Sequence, residues 1–149
     1  MEEYKKFLAM VRKDTGLEAF APDETGLVSV SVDDQYTLNL QYVEASNKVL
    51  CFVEVMTLGE DTPVKVYRDL LSAGLFGKDT GGGFFALEPE SNILVYNYMF
   101  DLDAVVNDIN VFVVTMENIL TVCEIWEHRI KGGDDSEALG GLPINRMMV

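Results

Sequence analysis

The sequence is short of cations, histidine and cysteine. Lysine and arginine total 11 against 25 acidic residues, for a net charge of −14. Nine acids and no lysine or arginine occur between Lys78 and Arg129. Such a surface repels nucleic acid and anionic lipid, so neither is an expected partner. The only histidine is His128, which leaves a nucleophilic cysteine or serine almost no general base. Cys51 and Cys123 stand apart in apolar surroundings, with no CxxC pair. They read as buried free thiols, and one histidine with two isolated cysteines does not make a zinc site. The opening MEEYKKFLAMVRKD lacks a basic segment followed by an apolar core, so it is not a secretory signal. The apolar runs fall short of a membrane span. A cytoplasmic protein with no membrane segment is expected.

What is present is apolar: 48% of 149 residues, enough for one globular domain, expected over 1–131. Tyr4, Phe7, Leu8 and Val11 recur at helical spacing, and Gly16 ends that helix. The period then drops to two. Val28, Val30 and Val32 alternate with serines, and Tyr36, Leu38, Leu40 and Tyr42 alternate with polar residues. These are strands with one apolar face, joined at Asp33-Asp34. A third strand, KVLCFVEVMTL, is apolar on both faces. It is either covered on both sides or open on one side until a partner arrives. Thr62 is placed to cap a second helix with Pro63 at its first position, and Val66, Leu70, Leu71 and Leu75 are read as its apolar face. A hairpin, FFAL and ILVYNYMF, follows around Pro89-Glu90-Ser91-Asn92. From Leu102 to Ile130 an apolar stripe of 3,4,3,4 spacing predicts one long helix packed across a sheet. The glycine-flanked tail, 132–149, is expected to be flexible. The order is α-β-β-β-α-β-β-α, an α+β class with a mainly antiparallel sheet.

No motif asks for catalysis, a metal or a cofactor. The stretch LFGKDTGGGFFAL holds Gly81-Gly82-Gly83, but a helix precedes it and a strand follows. A phosphate loop needs the reverse order, and here the lysine comes before the glycines and Asp79 adds an anion. Asp33-Asp34 suits a turn, and Asp101 and Asp103 suit a helix start. Glu124 and His128 lie at i, i+4 but have no third ligand. Left over is apolar surface: Phe, Tyr and Trp total 15, with seven methionines, too many for one small core. Amphipathic tyrosine and adaptable methionine are contact residues, which favours a second copy or a bound peptide.

The segment RDLLSAGLFGKDTGGGFFALEPESNILVYNYMFDLD, Arg68 to Asp103, resembles the type III secretion chaperones of the Tir-chaperone (CesT-like) family. There a leucine-rich helix ending in a small residue leads through a glycine loop into a hairpin, and an aspartate introduces the closing helix. The opening helix, Gly16-Leu17, the three-strand meander and the helix with Trp126 also fit, over roughly 1–131. The tyrosine-rich late strand and the added tail depart from the pattern. The resemblance implies a secretion-chaperone-like fold and a homodimer without catalysis. It would hold the N-terminal chaperone-binding segment of a secreted effector in non-globular form. It points to Tyr67, Leu70, Leu71, Phe84 and Phe85 for the dimer contact, and to Phe7, Met10, Tyr36, Leu38, Leu50 and Phe52 for the effector. Two alternatives stand beside it: an interaction or regulatory domain of the same fold outside secretion, and a small-molecule enzyme or nucleotide binder using the Gly81–Gly83 loop. Against the last, Gly82→Ala is expected to alter stability or solubility and to leave no ATP binding to lose. Calorimetric titration with ATP checks this, and mutation-sensitive binding would refute it.

Overall fold

The computed structural model describes residues 1–132, so the tail from residue 133 onward lies outside the described residues. Helix α1 (Glu2–Thr15) is followed by strands β1 (Val28–Val32), β2 (Tyr36–Val43) and β3 (Lys48–Thr57). Helix α2 (Val64–Ala73), strands β4 (Phe84–Glu88) and β5 (Ile93–Asp101), and helices α3 (Leu102–Asn107) and α4 (Ile109–Ile130) complete the order. The sheet runs β1-β2-β3-β5-β4, which leaves β1 and β4 as its edges. Its consecutive pairs β1–β2 and β2–β3 are antiparallel. The Leu58 amide donates to the Asn92 carbonyl at one end of the β3–β5 pair, and the Leu102 amide to the Asn47 carbonyl at the other. That order of partners makes β3 and β5 antiparallel as well. The α+β class with a mainly antiparallel sheet is therefore what the chain forms. Contacts divide the chain into two compact units, residues 1–54 with 97–114, and residues 55–96 with the chain from Thr115.

In the first unit, acids in the first turn of α1 and bases in the last complement its dipole. Gly16, at φ 72°, ends it by returning its amide to the Arg12 carbonyl at 2.8 Å. The β1–β2 turn puts both Asp33 and Asp34 at positive φ, the twist that matches a tight hairpin. Register pairs Asn39 with Phe52 and Gln41 with Leu50. Tyr36, Leu38, Leu40, Val49, Cys51 and Val53 are buried on one side of the sheet. Helix α1 lies on that side: Tyr4 stacks on Tyr42 at 5.3 Å, and Phe7 meets Phe112 edge-on at 5.0 Å.

The long closing helix is interrupted. Asp101 caps α3 by accepting from the Asp103 amide at 3.2 Å. The chain then turns extended at Asp108 (φ −148°), whose carboxylate accepts from the Asn110 amide at the start of α4. The apolar spacing runs through this break, because a one-residue corner between two helices disturbs the pattern little. A second correction concerns α2: its N-cap is Pro63, with no side-chain cap from Thr62. At 22 residues, α4 has the length and apolar content of a membrane span, which run lengths alone did not suggest. Half of its most apolar stretch is buried within the protein.

Tyr4 is fully buried, and its hydroxyl is shared between the carbonyls of Gly26 (3.1 Å) and Leu40 (3.3 Å). Burial, reinforced by the charge of Asp23, pushes its pKa up from 10.0 to about 12. The neutral phenol is the form the fold accepts. Its contribution is complete below pH 10 and is lost as pH rises towards 12. Denaturant titrations at pH 8 and 11 are expected to show a fall in stability that Tyr4→Phe reduces. At pH 8 the same substitution costs about 1 kcal/mol of hydrogen bonding.

Candidate functional site

Strand parity decides which side chains of the first unit face outwards. Because Tyr36, Leu38 and Leu40 point to the core, Thr37 and Gln41 are left on the opposite face, only half-buried. Register brings Leu50 and Phe52 of β3 onto that outer face, and Ser29 and Ser31 of β1 join through their pairing with Asn39 and Thr37. The result is an apolar stripe, half-buried Leu50 and Phe52, set among hydroxyl and amide groups, with the Glu54 carboxylate next along β3. The Asn39 side chain donates to the Phe52 carbonyl at 3.4 Å. β3 is thus covered on one side and partly open on the other.

Of the six residues expected to meet an effector, Phe7, Tyr36 and Leu38 lie in the core. They share the two-residue and 3.6-residue periods of the buried set, so their side chains have no surface to offer. Met10 is half-buried on α1, which covers the inner face of the sheet. Leu50 and Phe52 occupy the other face, so Met10 does not share their surface.

The second unit has its own apolar surface. On α2, Leu70 and Ala73 are buried, whereas Val64 and Leu71 are 81% and 78% exposed. Val64, half-buried Tyr67, Leu71 and Leu75 follow a 3,4,4 spacing, one outward stripe. Leu70 therefore leaves the expected dimer set for the core, and Leu71 and Leu75 lie on a different face from Val66 and Leu70. Phe84 of β4 is exposed. Phe85 is half-buried, edge-on to Tyr96 at 5.3 Å and to Trp126 at 5.7 Å. Phe76, which the sequence reading left out, is 94% exposed at φ 60°. A left-handed conformation costs a residue with a Cβ about 1–2 kcal/mol.

Between α2 and β4 the glycine loop is tied inwards. The Gly82 amide donates to the Gly77 carbonyl at 2.9 Å, and the Gly83 amide to the Thr80 carbonyl at 3.4 Å. The Tyr96 hydroxyl donates to the same Thr80 carbonyl at 2.6 Å, and the Trp126 indole to the Asp79 carbonyl at 3.2 Å. The buried Thr80 hydroxyl donates to the Gly83 carbonyl. Two of the amides that a phosphate would need are therefore already engaged. Gly81 and Gly82 have φ of 65° and 90°, and a Cβ on Gly77 would stand 3.1 Å from the Gly82 backbone. A cleft of about 380 Å³ lies beside this loop, lined by α2 residues including Lys65 and Asp69 and by Trp126 and Arg129. Lys65 pairs with Asp69 at 2.7 Å, and the Arg129 guanidinium lies 4.8 Å from the Trp126 ring centre. Glu127, beside His128 on α4, pairs with Lys131 at 3.1 Å.

Removing the Tyr96 hydroxyl takes away a buried partner of the Thr80 carbonyl. Tyr96→Phe is expected to destabilise the protein by about 1–3 kcal/mol, read as a lower midpoint in urea with an unchanged slope.

The architecture matches solved structures. A chain of the ExsC–ExsE complex superposes with a TM-score of 0.69 at 20% identity, covering 83% of this chain and 90% of that one. The Yersinia pestis type III secretion chaperone SycH, in complex with a stable fragment of YscM2, gives 0.60 at 18% identity, covering 80% and 98%. The HopA1–SchA chaperone–effector complex gives 0.61 at 16%, covering 87% and 91%. No curated protein matches the sequence. The profile of the Tir chaperone protein (CesT) family matches residues 6–126, most of the chain, with the meander, the glycine loop and most of α4 inside the match. The chain belongs to the Tir chaperone (CesT) family of type III secretion chaperones.

Proposed function

We propose that this protein is a cytoplasmic homodimer that binds the N-terminal segment of a secreted effector in non-globular form, keeps it competent for secretion, and does so without catalysis. The observation that carries this reading is the placing of apolar side chains on two exposed surfaces of a family chaperone. One is the outer sheet face at Leu50 and Phe52; the other is α2 and β4, at Leu71 and Phe84. SycH and SchA come from complexes with partner or effector proteins, which supports the same role here.

The two surfaces are given different occupants. The outer sheet face combines an apolar stripe with amide and hydroxyl groups, which suits an extended polypeptide. β1 is an edge strand with unpaired backbone groups along one side. Backbone pairing there supplies sequence-tolerant affinity for one stretch of the segment, while Leu50 and Phe52, two strands further in, select side chains of another stretch laid over the face. Tyr67, Leu71 and Phe84 form the contact between copies, with Phe85 behind them in the aromatic cluster.

Co-purification from the native cell identifies the effector. Replacing Leu50 and Phe52 by aspartate is expected to abolish capture of that segment and leave the dimer intact by light scattering. Leu71→Asp is expected to yield a monomer. A wild-type protein that is monomeric at high micromolar concentration would defeat the dimer reading. Undiminished effector capture by the Leu50/Phe52 variant would defeat the placing of the binding face.

A further inference from the structure

α2 has a third face besides the two already assigned. Leu70 and Ala73 are buried, and Val64, Tyr67 and Leu71 point outwards. Between these sets, Val66, Asp69 and Ser72 line the cleft of about 380 Å³, together with Asp79 from the loop and Trp126 and Ile130 from the end of α4. All of these residues belong to the second unit. Val66 and Ile130 are only half-buried, so apolar surface stands open beside the carboxylates of Asp69 and Asp79. The cations of the lining are engaged, Lys65 with Asp69 and Arg129 over the Trp126 ring. The Lys65–Asp69 pair is exposed, and exposed pairs contribute little, so a second cation can join it. The cleft has the volume of a small ligand pocket and suits a short apolar segment that carries one positive charge.

We propose that the segment Leu142–Met148 of the same chain occupies this cleft, with Ile144 against Val66 and Ile130 and with Arg146 at the two carboxylates. This goes beyond the function proposed above and requires neither the dimer nor the effector. The segment, LPINRMM, has five apolar residues, one base and no acid. The chain leaves the described fold beside the cleft. Ile130 lines it, and Gly132, at φ 86°, closes α4 by donating its amide to the Arg129 carbonyl at 3.0 Å. Leu142 comes ten residues after Gly132. That is a reach of up to about 33 Å, and Gly140-Gly141 allow the chain to reverse. Charge agrees. Residues 60–79 and 124–132, which hold the cleft, carry five bases against six acids, whereas the rest of the chain up to residue 132 carries five against sixteen. The tail from residue 133, with three acids and one base, is repelled least here. Tethering supplies an effective concentration on the order of 1 mM, so a weak contact is enough. Docked there, the segment braces α2 against α4 and leaves the outward stripe of α2 clear.

Two measurements on the whole chain test this. Ser72, which lines the cleft, and Ser46, in the first unit, are both exposed. A chain with Ser72→Cys and Ile144→Cys is expected to form an intramolecular disulfide at least about tenfold faster than one with Ser46→Cys and Ile144→Cys. A synthetic peptide of residues 141–149 is then titrated calorimetrically. It is expected to bind the chain carrying Ile144→Asp and Arg146→Glu, and to bind the unsubstituted protein at least about tenfold more weakly, because there the tethered segment already holds the site. Equal oxidation rates would overturn the proposal, as would a Ser72→Cys/Ile144→Cys disulfide formed mainly between two chains. So would a peptide that binds both proteins equally or neither. Light scattering and effector capture read the function proposed above separately, so failure of one reading leaves the other standing.

Discussion

The two-residue period of the strands is the constraint on which the rest depends. Once Tyr36, Leu38 and Leu40 are committed to the side that α1 covers, Thr37 and Gln41 have to face away. The β2–β3 register then decides that Leu50 and Phe52 accompany them outwards while Val49, Cys51 and Val53 pack inwards. Burial raises the pKa of the Cys51 thiol, so this cysteine is inert and serves as a small apolar side chain. A single residue of slip would bury the polar set and expose the valines. The outward apolar face proposed for binding is therefore a consequence of core formation.

The second unit solves a different problem. The chain must leave α2, reverse and enter β4 with little secondary structure to satisfy its backbone. Tyr96 and Trp126 supply hydroxyl and indole donors to consecutive loop carbonyls, while Phe85 packs edge-on against both rings. The glycines accept positive φ and close approach, so the loop folds onto the aromatic cluster. A triple glycine that suggests a phosphate cradle is here a connector whose polar groups turn inwards. Phe76, at the turn that leads into this loop, projects into solvent.

Much of the fold was legible in the sequence because periodicity reports burial directly. The valine–serine alternation located β1, the Asp33-Asp34 pair located its turn, and Gly16 ended α1. The break at Asp108 was hidden, since the apolar spacing continues across it. The outward apolar residues were harder to find. Phe7, Tyr36 and Leu38 are aromatic or apolar in the manner of contact residues, yet the same property places them in the core. On α2, adjacent Leu70 and Leu71 are indistinguishable by composition, and the finer 3,4,4 spacing from Val64 to Leu75 separates outward from inward.

By itself the sequence determined the class of fold, the strong acidity, and an apolar content greater than one core absorbs. These follow from composition and from local periods, which act over a few residues. Only the tertiary structure decided which apolar residues remain for partners, because that depends on register between strands and on which helix covers which face. It also decided how the glycine loop is held: the Gly82 and Gly83 amides are engaged inside the loop, and Tyr96 and Trp126, distant in the chain, donate to its carbonyls.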